Sequence, residues 1–138
     1  MPEQTAIGRV GVMLLSAAIF GFFGFMMSWP ELDVQTGKLI PLVVTLKWTL
    51  RITAIAFLIC ALVSMPLPDV GGLVYAAVGM ACAAALAVLG VWDLTSHWYS
   101  GIHPFLLFVF AAWNGVTSWA TYHNTRAAMV LRKSEAVA

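Results

Sequence analysis

Four apolar runs dominate this sequence, at residues 10–29, 41–65, 71–92 and 104 to about 125. A hydrocarbon core ~30 Å thick needs about 20 apolar residues of helix to cross it, and each run meets that length. Backbone exposed to lipid finds no water to bond, so a run this long and continuous predicts a helix, which satisfies its own N–H and C=O groups. Composition points the same way. Hydrophobic residues make up 62% of the 138 and charged residues 9%, against about 25% charged in an ordinary soluble domain. So few charges cannot clothe a water-facing surface, and the expected partner of most of the chain is the lipid bilayer. A net charge of +1 excludes the dense basic face that nucleic acid requires.

Proline and acidic residues punctuate the runs. The first stops at Pro30, before Glu31 and Asp33; the second opens on Pro41 and stops at Pro66; the third closes at Asp93; the fourth opens on Pro104 and reaches Arg126. The first run is longer than the 7–15 residues of a signal-peptide core and reads as a retained span. Connections of about 11, 5 and 11 residues favour antiparallel neighbours in sequence order. The expected fold is an all-α integral membrane protein, one domain over residues 1–138, with four transmembrane helices in an up-down-up-down bundle.

Four spans place both termini on one side, with Arg9, Arg126, Arg132 and Lys133. The other side has Lys38, with Lys47 and Arg51 inside the second run. The positive-inside rule then puts both termini in the cytoplasm, in what reads as a bacterial inner membrane. Trp29, Trp92, Trp98 and Tyr99 fall at the outer boundary, and Trp119 and Tyr122 near the inner one, the zone that amphipathic rings favour.

Small residues step by three or four along two runs: Ala17, Gly21, Gly24 and Ser28 in the first, and Gly72, Ala76, Gly79, Ala83, Ala87 and Gly90 in the third. Each series makes a stripe on one helix face that lets another helix approach closely. The matching stripes predict close contact between the first and third spans, within the bundle or between protomers. Phe20, Phe22, Phe23 and Phe25 are then expected to face lipid or a partner. Cys60 and Cys82 read as small buried hydrophobes. In this topology their depths differ by roughly 7 Å, which argues against a disulfide.

The most unusual polar residues are Lys47 and Arg51, four apart and so on one helix face. Only about 14 uncharged residues, ~21 Å of helix, separate Arg51 from Pro66, which draws Arg51 into the outer half of the membrane. Snorkelling, an ion pair with Asp93, Glu31 or Asp33, a contact with another subunit, or a site for an anion, lipid head group or quinone would each accommodate it. Asp93, His97 and His103 in the outer loop could complete such a vestibule, although a spacing of six between the histidines fits no metal motif. The fourth run carries a polar stripe of Asn114, Thr117 or Ser118, Thr121, and Asn124 or Thr125, which reads as interhelical glue. A lone His123 could ligate haem, but no histidine sits at matching depth.

No Walker loop, GxSxG, HExxH or dinucleotide fingerprint is present, and no segment outside the runs is long enough for an enzyme domain. The pattern leans away from an enzyme, implies no metal and identifies no cofactor. It favours a non-catalytic subunit or scaffold, an oligomer with itself or part of a larger membrane complex. The alternative is a small transporter or binding protein using Lys47, Arg51, Asp93, His97 and His103.

Overall fold

The computed structural model describes residues 6–27, 32, 37–95 and 104–137. They form α1 (Ala6–Gly21), extended by a π-helical turn (Phe22–Met26), then α2 (Pro41–Ser64), α3 (Pro68–Thr95) and α4 (Pro104–Val137). Between α1 and α2, Leu32 and Leu39 pair in an isolated antiparallel bridge, and Gly37 takes a φ of 69°, a conformation with little steric cost only for glycine. α2, α3 and α4 each open on a proline, whose fixed φ suits a first turn and whose missing N–H needs no partner there. α4 outruns its expected end near residue 125 because residues 126–137 contain neither glycine nor proline to stop it.

Successive helices run antiparallel. Gly24 and Gly21 of α1 meet Arg51 and Ala54 of α2, while Gly72, Gly79 and Gly90 of α3 meet Thr125, Ser118 and Phe108 of α4, the partner numbers falling as the glycine numbers rise. α3 packs chiefly on α4, α2 on both α1 and α3, and α1 has little contact with α3. Within the bundle, the close contact expected between the first and third spans is therefore not formed. The two small-residue stripes each receive the helix next to them in sequence instead. Ala17 packs on the core, Ala76 is buried and Ala83 is half-buried.

Three glycines of α3 share one device. A Cβ added at Gly71 would collide with Ser64 Oγ, at Gly72 with Thr125 Oγ1, and at Gly79 with Ser118 Oγ. Each hydroxyl thus sits over a glycine Cα in the direction a side chain would take, where a Cα–H can act as a weak donor of about 0.5–1 kcal/mol. Ser64 Oγ also donates to the Cys60 carbonyl at 2.7 Å. Ser118 Oγ and Thr125 Oγ1 are buried without a conventional hydrogen bond.

The phenylalanines divide. Phe20 is fully buried, edge-on to Phe57 at 5.9 Å and to Phe110 at 5.2 Å, and Phe23 packs on Phe110 at 5.0 Å. Phe22 and Phe25 face outward. The outward orientation expected for all four holds for two, because the inward face of α1 is Met13, Ser16, Phe20 and Gly24. Cys60 is buried, Cys82 is half-buried and both are free thiols.

Three helical stretches, Ile7–Met26, Pro41–Ser64 and Pro68–Thr95, are long and apolar enough to cross a membrane. α4 does not join them by that measure, because Asn114, Thr117, Ser118, Thr121, Asn124 and Thr125 dilute its second half.

The seating of Ser118 on Gly79 makes a paired prediction. Gly79→Ala should destabilise the protein by about 1–3 kcal/mol through overpacking. Adding Ser118→Ala should recover most of that loss in a double-mutant cycle of unfolding in detergent. Additive effects would show that the two residues do not meet.

Candidate functional site

Lys47 and Arg51 are brought together around one indole. Lys47 Nζ lies 5.3 Å from the Trp48 ring centroid and the Arg51 guanidinium carbon 5.1 Å from the same ring. The other face of this cluster is Phe25, 5.1 Å from the guanidinium. Arg51 is the eleventh residue of the 24-residue α2, about 15 Å from the helix start. It is half-buried there.

Its partner is a backbone carbonyl: Arg51 Nε donates to Gly24 O at 2.8 Å. Gly24 lies in the π-helical turn that ends α1, and Met27 just after it is extended, with φ −83° and ψ 145°. Terminal carbonyls of a helix have no partner within it, and the terminus carries partial negative charge. Arg51 supplies both a donor and a positive charge. Glycine suits this fit, since a Cβ at position 24 would lie 3.0 Å from the Arg51 backbone nitrogen and would press the two helices apart by a few tenths of an ångström. Asp93, Glu31 and Asp33 are the ion-pair partners that the sequence offers Arg51. Glu31 and Asp33 fall outside the described residues.

Asp93 is buried near the end of α3, 7% exposed. His97 and His103 lie outside the described residues. No cluster of three or more metal-ligating His, Cys, Asp or Glu occurs among the described residues. His123 is exposed on α4, its ring edge-on to Trp119 at 4.5 Å and to Tyr122 at 5.7 Å. At the end of the bundle bearing the termini, Arg132 of α4 pairs with Asp69 in the first turn of α3.

The polar stripe of α4 resolves into a buried face of Asn114, Ser118, Thr121 and Thr125. Asn114 is fully buried, yet neither its Oδ1 nor its Nδ2 has a hydrogen-bond partner. Interhelical hydrogen bonds are made instead by Trp113, one residue before it, and by Thr117, three residues after it. Trp113 Nε1 donates to Ser16 Oγ at 2.9 Å, and Ser16 Oγ meets Tyr75 Oη at 3.2 Å. Tyr75 Oη in turn meets Thr117 Oγ1 at 3.1 Å, which donates to the Trp113 carbonyl at 2.8 Å.

Since the Thr117 proton goes to that carbonyl, the order of donors is fixed. Trp113 donates to Ser16, Ser16 to Tyr75, Tyr75 to Thr117, and Thr117 back to Trp113. Every hydroxyl gives once and receives once. This ring joins α1, α3 and α4. Sequence reasoning did not single out Tyr75, Trp113 or Ser16. The available signal was that Tyr75 and Trp113 lie within their apolar runs, where an amphipathic ring needs a partner. Likewise Trp48, one residue after Lys47 and three before Arg51, marked where the two cations would gather.

The geometry defines a class, an all-helical protein with membrane-span-like helices held together by polar contacts inside the bundle. Beyond that class, the chain matches no family model, no curated protein and no solved structure.

Two substitutions test the internal contacts. Tyr75→Phe removes two hydrogen bonds of the ring and is expected to lower stability in detergent by about 1–2 kcal/mol. Arg51→Leu should leave the protein membrane-inserted but speed amide exchange at residues 22–26 about tenfold or more, as a lost charge-assisted bond implies. Unchanged exchange there would remove the capping role.

Proposed function

We propose that the chain is a small polytopic membrane protein that acts as a non-catalytic subunit or scaffold. In this reading it crosses the membrane four times, up-down-up-down, with both termini on the cytoplasmic side of a bacterial inner membrane. The observation that carries it is where the polar groups point. Ser16, Thr53, Ser64, Asn114, Ser118, Thr121 and Thr125 are buried, while Ile52, Leu62, Val88, Phe105, Val116 and Trp119 are exposed. That arrangement suits lipid outside and helix contacts inside.

The same pattern supports α4 as the fourth span. Its polar stripe faces α3, and its outward face carries Phe105, Val109, Val116 and Trp119. The orientation draws support from Arg126, Arg132 and Lys133 at the end bearing the termini.

A scaffold also needs a face for another helix. On α3, Ala77, Ala81 and Ala84 are exposed and step by four and three, a small-residue surface suited to close approach by a helix from a partner or a second copy. The groove beside that face is lined by apolar and aromatic side chains with Ser118.

Mild extraction from native membranes should therefore yield a stoichiometric assembly larger than one chain, by native mass spectrometry. Ala81→Phe should dissociate it, while an equally bulky change at Ile59, exposed on α2, should not. Recovery of the native protein as a lone monomer, or an assembly indifferent to Ala81→Phe, would overturn the reading. Solute movement by the purified chain in liposomes would favour a transporter.

A further inference from the structure

A shallow apolar groove of about 330 Å³ runs along the outer seam of α1 and α2. Ala17, Ala18 and Gly21 form its α1 wall and Ala54, Ile55 and Leu58 its α2 wall. Small side chains on both helices leave the seam recessed. At its end nearest the α1–α2 connection stands Phe25, which also lines the groove and lies against the Arg51 guanidinium. Lys47, Arg51, Ile55 and Leu58 follow one another at steps of four, four and three, so the two cations and the α2 wall share one helix face. The groove and the cationic cluster are thus continuous.

The sequence along that face is ordered as a phospholipid is ordered. Two positive side chains and a half-exposed indole, Trp48, stand toward the connecting segments. The apolar slot continues from them toward the interior of the bundle's length. Arg51 commits only its Nε to the Gly24 carbonyl, and a guanidinium has five N–H donors, so its terminal nitrogens remain suited to phosphate oxygens.

We propose that this seam binds one anionic phospholipid, with an acyl chain in the α1–α2 groove and its phosphate held by Lys47 and Arg51 beside Trp48. The proposal rests on the membrane-embedded reading above but not on any partner subunit. The lipid belongs to the leaflet on the side of the α1–α2 connection, since its tail points from the cations toward mid-bundle.

The test uses the purified full chain in a neutral maltoside detergent, reading thermal unfolding by intrinsic tryptophan fluorescence. Phosphatidylglycerol should raise Tm by several degrees, while phosphatidylcholine with the same chains and free glycerol phosphate should not. Because Arg51 also caps α1, the discriminating variants leave it intact: Lys47→Gln weakens the phosphate contact and Ala18→Trp fills the groove. Both should abolish the shift. An equal shift from phosphatidylcholine, a shift from glycerol phosphate alone, or a shift that survives in either variant overturns the proposal. The readout is on the isolated chain, so it fails or succeeds independently of whether the native protein assembles with others.

Discussion

The attachment of α1 depends on hydrogen bonds more than on packing with the far side of the bundle. α1 has extensive contact with α2 but little with α3 or α4, and what crosses that gap is the ring from Trp113 through Ser16, Tyr75 and Thr117 back to Trp113. Burial of apolar surface drives little association between helices already in lipid, so dispersion and polar contacts carry more of the task. A closed ring suits this setting because it leaves no hydroxyl without an acceptor. The aromatic cluster of Phe20, Phe57 and Phe110 lies beside it and links α1, α2 and α4. Direction comes from the hydrogen bonds and contact area from the rings.

The α3–α4 seam follows a different logic. Here the helices approach so closely that hydroxyls of α4 occupy the space of absent glycine side chains on α3. Ser118 and Thr125 gain proximity at the expense of conventional hydrogen bonds, and the dispersion gained along a well-fitted seam offsets part of that cost. Asn114 lies on the same face and is also without partners. Its backbone carbonyl lies 3.7 Å from the position of a Cβ on Gly79, so close helix approach extends to the level of its backbone. The tightest contact of the fold and its least satisfied polar groups therefore coincide.

Much of this was legible in the sequence, and the limits have physical causes. Length and hydropathy located the helices, and Pro41 and Pro104 marked two starts correctly, because those signals are local. The stripe of Gly72, Ala76 and Gly79 was equally visible. Its partner was not, since a small-residue stripe states that something approaches closely without stating what. The matching stripe on α1 suggested α3, whereas the bulkier hydroxyl-bearing face of α4 filled the space. Lys47 and Arg51 stood out as anomalous charges, but the acceptor of Arg51 is a carbonyl, which every residue possesses and no residue type announces. The hydrogen-bonded ring was hidden for a related reason, as its four members come from three helices and only their common depth connects them.

The depth of Arg51 can be weighed directly. A cation near the centre of a transmembrane helix costs about 2.5–3.5 kcal/mol on insertion scales. A charge-assisted hydrogen bond returns about 1.5–3 kcal/mol, and each aromatic contact about 0.5–1 kcal/mol or more when desolvated. With one such bond to Gly24 and two rings within 5.1 Å, the terms roughly balance within the protein itself. What the arrangement achieves is a defined end for α1 well below the start of α2. Without a donor at that level, the Gly24 carbonyl would lose this partner. Arg51 makes it possible for α1 to stop early, and Gly24 makes room for it to do so.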